Sequence, residues 1–155
     1  MNDRQYVRSL RLFHHGEVFG EQFYGVAARM ARRAETRARW EALASLERKT
    51  KQDLAAAITA LAGRPREALI ARGLGMIVGA ALGALPEWAS LRLMGALVRP
   101  ALASYERFAH QGAEWNAPLA ANLLAHERAQ EEFLDRMNRG ARAQSLEPVE
   151  ALLRA

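Results

Sequence analysis

The sequence predicts an all-α protein folded as an antiparallel four-helix bundle with glutamates turned toward its core. Three observations carry the prediction. Leucine, alanine, arginine and glutamate dominate while β-branched residues are sparse. Apolar residues recur at three- and four-residue spacing over several long stretches, the period of a helix with one buried face. Neither Asn-Gly nor Asp-Gly, the strongest short-range hairpin signals, occurs. The 155 residues are about one domain's worth of chain, and 50% apolar with 25% charged residues is the balance of a globular protein. A single domain over 1–155 is expected.

The first helical segment covers 7–33, with Leu10, Phe13, Gly20, Tyr24, Ala27 and Ala31 along one face. The second covers 37–61 on the stripe Trp40, Leu43, Leu46, Leu54, Ala57 and Leu61, and Gly63 followed by Pro65 is a stop signal. Neither Pro nor Gly separates these two segments, so their turn is placed at 32–36 by the requirement that the stripes face each other. Residues 68–85 form the most apolar stretch, an extra helical segment in which Gly73, Gly75, Gly79 and Gly83 supply small-residue spacing that permits close helix approach. Its uninterrupted apolar part, 73–86, is shorter than the ~20 residues a membrane span needs. The third bundle helix runs from Pro86 to Gln111 with a bend at Pro100, and 112–118 supplies the next turn. The fourth runs over 118–139 on Leu119, Leu123, Gln130, Phe133, Leu134 and Met137, ending at Gly140. The remaining 141–155 is a short docking helix or a tail.

The chain has no cysteine, which removes disulfides, thiolate metal sites, iron–sulfur ligation and thiol nucleophiles together. Its charged start, Met1-Asn2-Asp3-Arg4, lacks the apolar run of a secretory signal, so a cytoplasmic location is expected. The net charge is +5 with pI near 10.4. Yet Glu35 and Glu41 interleave the cluster Arg29, Arg32, Arg33, Arg37 and Arg39, and no aromatic ladder accompanies it. That pattern reads as a solvated face and not as a nucleic-acid surface. The serines and histidines fall in no nucleophile–base–orienter order, and no phosphate-cradling glycine loop opens a helix. His14, His15 and His110 read as surface or helix-end residues, and His126 as a capping or packing one.

Glutamates on the stripes carry whatever chemistry the chain has, because a carboxylate at a core position costs several kcal/mol unless paired or bound to a cation. Glu17 follows Phe13 by four and precedes Gly20 by three. Glu47 continues the Trp40 and Leu43 stripe, and Glu127 follows Leu123 by four. Glu106 follows Leu102 by four, in competition with Tyr105 and Phe108 for the inward direction. Glu17 and Glu47 are centred on residue 32, and Glu106 and Glu127 between 116 and 117, each pair on an expected turn. Antiparallel neighbours equidistant from their turn meet at one height. Four core carboxylates at one level describe a di-metal carboxylate site with Glu17, Glu47, Glu106 and Glu127 as ligands. The alternative is a hydrogen-bonded network among these glutamates, Tyr24 and nearby arginines.

The run Leu12-Phe13-His14-His15-Gly16-Glu17-Val18 followed by Phe23-Tyr24 resembles the Asp-His-Ala-Gly-Glu…Ile-Tyr opening of the demethoxyubiquinone hydroxylases, which are ferritin-like di-iron enzymes. Leu46-Glu47-Arg48-Lys49-Thr50 is similar to that family's Glu-Lys-x-His, and the glycine-rich stretch precedes the third helix as it does there. The resemblance implies a ferritin-like fold, Glu17 and Glu47 as ligands, Tyr24 as a nearby aromatic, and iron or another divalent metal as cofactor. Thr50 and Gln130 stand where that family has histidines, and an ungapped reading from Pro86 puts Leu97 where its third-helix glutamate belongs. The metal expected is therefore a hard, oxygen-preferring ion or a weakly held iron. Two functions are expected as alternatives: a divergent carboxylate metal protein of oxidoreductase or hydroxylase type, and a metal-free bundle that binds an apolar molecule or a protein partner. The apolar segment 68–98 predicts self-association into a homo-oligomer, or else peripheral contact with a membrane.

Overall fold

A computed structural model describes residues 1–66 and 68–155 of the chain. These form five α-helices and no strand: α1 (Asp3–Met30), α2 (Ala34–Ala62), α3 (Leu69–Ala84), α4 (Glu87–Asn138) and α5 (Glu147–Arg154), with a 3₁₀ turn at Arg142–Gln144. The helix α1 starts at a capping box. Asn2 accepts from the Gln5 amide while the Gln5 side chain accepts from the Asn2 amide, satisfying two donors that a helix start leaves free. It ends one turn earlier than its stripe predicts, and the reversal shrinks to Ala31–Arg33. The Arg37 guanidinium holds this tight turn by donating to the Ala31 carbonyl at 3.0 Å.

Helices α1 and α2 run antiparallel. Tyr24 stacks on Trp40 near the turn at 5.9 Å, Arg48 donates to Glu21 at 2.7 Å further along, and Tyr6 and Leu10 share a cluster with Leu54 and Ile58 at the far end. Ile58 closes that stripe fully buried, whereas Leu61 is 55% exposed, so the inward face of α2 stops a turn earlier than expected.

The helix α3 carries the chain back along α1 in the same direction: Gly75 lies over Phe19, Gly79 over Phe23 and Gly83 over Ala27. A Cβ at Gly75 or Gly79 would overlap the α1 backbone, which is why these positions lack side chains. Three of the four glycines of the small-residue stripe, Gly75, Gly79 and Gly83, are thus spent on a contact within the chain, and a Cβ at Gly73 would meet nothing within 4 Å.

A straight α4 would separate residues 22 apart by about 33 Å, yet Arg128 Nη2 lies 3.6 Å from Glu106 Oε1. The helix folds back at Asn116, whose φ of −159° and ψ of 85° are the non-helical values inside it. Asn116 Oδ1 accepts from the Leu119 amide at 3.0 Å and so caps the returning arm. The expected loop over 112–118 reduces to this residue, and the break in α4 falls here and not at Pro100. Four long rods result: α1, α2, the outgoing arm of α4 (87–115) and its returning arm (117–138). The tail docks through α5, with Val149 fully buried and Lys49 Nζ donating to the Leu152 carbonyl at 2.7 Å.

The apolar core falls into two clusters. One, nearer the α1–α2 turn, centres on Phe23, Tyr24, Leu43, Met94 and Phe133. The other, at the far end, centres on Leu10, Phe13, Leu54, Phe108 and Leu123. A layer of buried polar side chains lies at the level between them.

Candidate metal centre

Each long rod contributes to this layer. α1 brings Glu17 and Tyr24, α2 brings Glu47 and Thr50, the outgoing arm brings Tyr105, and the returning arm brings His126, Glu127 and Gln130. All are buried, Glu17 to 1% exposure. Each sits on its helix's apolar stripe, so the periodicity that buries leucines above and below buries these groups as well.

His126 Nε2 lies 3.7 Å from Glu17 Oε2 and 3.6 Å from Glu47 Oε1. One donor atom from each of Glu17, Glu47 and His126 falls within 4.8 Å of the other two, a group that could hold a metal ion. Separations of 3.6 to 3.7 Å are long for hydrogen bonds. They lie near the ~3.4 Å edge that two ligands make when each is about 2.1 Å from a shared tetrahedral ion.

Surrounding groups fix the orientation of these ligands. Thr50 Oγ1 meets His126 Nδ1 at 2.7 Å, which leaves Nε2 facing the carboxylates. Gln130 Nε2 stands 2.7 Å from Glu47 Oε1 and 2.6 Å from His126 Nε2, while its Oε1 accepts from the Tyr24 hydroxyl at 2.6 Å. Both amide protons are donated, so His126 Nε2 presents a lone pair and Nδ1–H donates to Thr50. The Tyr105 hydroxyl donates to Glu17 Oε1 at 2.6 Å. Glu17 Oε2 has no partner; it and His14 Nδ1 are the unpartnered buried side-chain polar atoms among the described residues. A buried acceptor left in that state costs roughly 1–3 kcal/mol.

Burial dominates the electrostatics. It pushes Glu17 well above the ordinary carboxylate range, against the opposing pull of His126 and with the repulsion of Glu47 added. Burial lifts Glu47 to about 7, against hydrogen bonds from Glu17, whose retained proton bridges the two carboxyls, and from Gln130. Glu127 is lifted to about 8 by burial, with His126 opposing and the other two carboxylates adding. Burial and the same carboxylates raise Tyr24 and Tyr105, so both phenols keep the protons they donate. Without a cation, the layer holds protons near neutral pH in place of positive charge.

Of the four glutamates read from the spacing, Glu17 and Glu47 converge, and Glu127 is buried in the same layer outside the three-ligand group. Glu106 does not join them. It is exposed and paired with Arg128, because Tyr105 takes the inward position, where its ring stacks on Phe13 at 4.1 Å and its hydroxyl reaches Glu17. The imidazole that the spacing reading missed is His126. Its signal was present: His126 follows Leu123 by three and precedes Gln130 by four, on the stripe itself. His14, expected near the surface, is buried.

A cleft of about 190 Å³ opens onto the layer between α1 and the outgoing arm of α4. Phe19, Phe23, Leu97, Val98 and Ala101 form apolar walls, and Glu17, Glu47, Glu127 and Gln130 are among its polar lining. The larger hollow, about 730 Å³, lies at the α1–α2 turn and does not include the carboxylates. No protein-family model matches the chain, and no match is found among curated proteins or solved structures.

Proposed function

We propose that this chain is a ferritin-like bundle in which Glu17, Glu47 and His126 hold a divalent metal, iron or manganese by the hardness of the donor set, for oxidoreductase chemistry on a compact apolar molecule admitted by the cleft. The observation that carries the reading is the convergence of one donor atom each from buried Glu17, Glu47 and His126 within 4.8 Å, where Glu17 Oε2 is left without a partner unless a proton or an ion bridges it to Glu47. A divalent ion would satisfy that oxygen and offset the crowding of three carboxylates. The ferritin-like assignment is supported by two antiparallel rod pairs joined by one long crossover, here built from α3. Bound iron would supply one-electron and oxygen chemistry. Thr50 would hold His126 in its ligand orientation, and Tyr105 would hold Glu17. The apolar walls would restrict water and favour an apolar reactant.

Protein purified without chelator, then stripped and titrated with Fe²⁺, Mn²⁺ and Zn²⁺, tests this by elemental analysis and calorimetry. About one ion per chain is expected, lost in Glu17→Gln. A chain that takes up none overturns the reading.

A metal-free bundle that binds an apolar ligand is the second reading, favoured by the Gln130 amide, which already stands between Glu47 and His126 as a neutral substitute for a cation. Gln130→Ala separates the two. Metal affinity is retained or rises if an ion belongs there, whereas stability falls with no metal uptake if the amide is the intended occupant.

A further inference from the structure

Among the described residues, eight of the thirteen large hydrophobic side chains left exposed fall between positions 69 and 97. On α3 the face opposite the glycines carries Ile70 at 81% exposure, Leu74 at 51% and Ile77 at 70%, spaced by four and three residues, and Trp88 continues the apolar surface past the turn at 67%. Arg72 apart, this helix is apolar all round, a composition that belongs to a buried element, yet only its glycine side is covered. The surrounding charge is one-sided. Between positions 63 and 105 the sequence has five arginines against two glutamates. Arg64 and Arg66 precede α3 and Arg92 and Arg99 are exposed on the outgoing arm of α4, whereas Arg72 lies on the α1 side of α3, beside the groove that His14 and Glu21 line. None of the five forms an ion pair with a described residue, whereas Glu87 is already engaged by Arg142 and Arg39.

We propose that the outer face of α3 docks on an anionic lipid surface, with Ile70, Leu74 and Ile77 entering the headgroup boundary and the flanking arginines meeting lipid phosphates. The helix lies on the bilayer and does not cross it. Its sixteen residues extend only about 24 Å, and no described helix is long and apolar enough to span a membrane. Apolar burial and attraction to anionic lipid act together in such interfacial helices. A tryptophan at the edge of the patch occupies the position that suits an amphipathic ring at a membrane interface. A second copy of the chain fits less well. A pair in parallel register would set Arg64 and Arg66 of one copy against the same arginines of the other.

Co-sedimentation of the full chain with phosphatidylcholine vesicles, with and without phosphatidylserine, tests the proposal. Partition onto the anionic vesicles is expected, with a shift of tryptophan emission to shorter wavelength that Trp88→Phe removes. Ile70→Asp with Ile77→Asp should abolish partition while leaving the thermal melt unchanged, since both side chains are already in solvent. Arg64→Gln and Arg66→Gln should each weaken partition by roughly fivefold, from about 1 kcal/mol per basic residue near an anionic surface. Equal binding to neutral and anionic vesicles, or no binding to either, overturns it. So does a dimer in light scattering that the double aspartate variant disperses, which would assign the face to a second copy.

Discussion

Glu47 reaches the core layer because position 20 has no side chain. A Cβ on Gly20 would overlap the Glu47 carboxylate, so the glycine on α1 is the recess into which a carboxylate on α2 fits. Gly20→Ala therefore sets the gain expected from replacing a helical glycine, up to about 1 kcal/mol, against overpacking, typically 1–3 kcal/mol. The overlap is with a buried group fixed by Gln130, so overpacking wins. The expected outcome is a net loss of up to about 2 kcal/mol in chemical denaturation and weaker metal uptake, because Glu47 is displaced from His126. An unchanged midpoint with unchanged uptake would show that the carboxylate moves aside freely. Thr50 is a second residue whose role lies in its neighbour. Thr50→Val keeps the volume but removes the oxygen that meets His126 Nδ1. Metal affinity should fall by about 10- to 100-fold, the usual effect of losing such an orienting contact, while a folded spectrum persists.

At the scale of elements, two backbone positions determine the topology. Gly79→Leu would force α3 off the Phe23 backbone, and because α3 is the crossover between the two rod pairs, the expected result is loss of cooperative unfolding by heat. Asn116→Ala removes the cap of the returning arm, and a loss of about 1 kcal/mol is expected by urea titration. The helices themselves were legible from stripes such as Leu10, Phe13, Tyr24 and Leu119, Leu123, Phe133, since burial repeats with the helical period. The level of the polar layer was legible too, because Glu17 and Glu47 lie equidistant from a turn whose position the stripes require. The reversal at Asn116 was less so: a single residue can turn the chain when its own side chain caps the next helix, without the spread of glycine and proline that marks a loop. Glu106 and Tyr105 are adjacent on a helix, and spacing alone could not choose which points inward; a phenol with both a ring to pack and a hydroxyl to donate fills that position. His126 was hidden by the expectation that an imidazole follows its glutamate by three residues, when here it precedes Glu127 directly.

The whole molecule couples its fold to protons or to metal through one layer, and this makes stability depend on pH in opposite senses with and without an ion. In the metal-free chain, Glu47 titrates at about 7 and Glu127 at about 8, against 4.5 for an unperturbed carboxyl. Below 4.5 the folded and unfolded states both hold these protons, and the stabilisation is fully present. Above that value the unfolded chain releases protons that the folded chain keeps, so stability declines as pH rises, by about 1.4 kcal/mol per pH unit per group at most. The decline ends once the folded groups have themselves titrated. Metal binding has the reverse dependence, since the ligands must be deprotonated. The metal-dependent gain in stability, set by the ratio of free ion to Kd, should therefore grow from pH 5 to pH 8. Thermal melts of stripped and Fe²⁺- or Mn²⁺-loaded protein across that range check both arms. A falling melting temperature for the stripped chain with a widening gap to the loaded one is expected. Glu47→Gln should remove the Glu47 share of the metal-free decline, leaving that of Glu17 and Glu127, and close the gap, because the amide carries no proton to release and no charge to give a cation. Parallel curves for stripped and loaded protein would mean that no ion reaches these carboxylates, leaving the layer as a proton-holding network within the core.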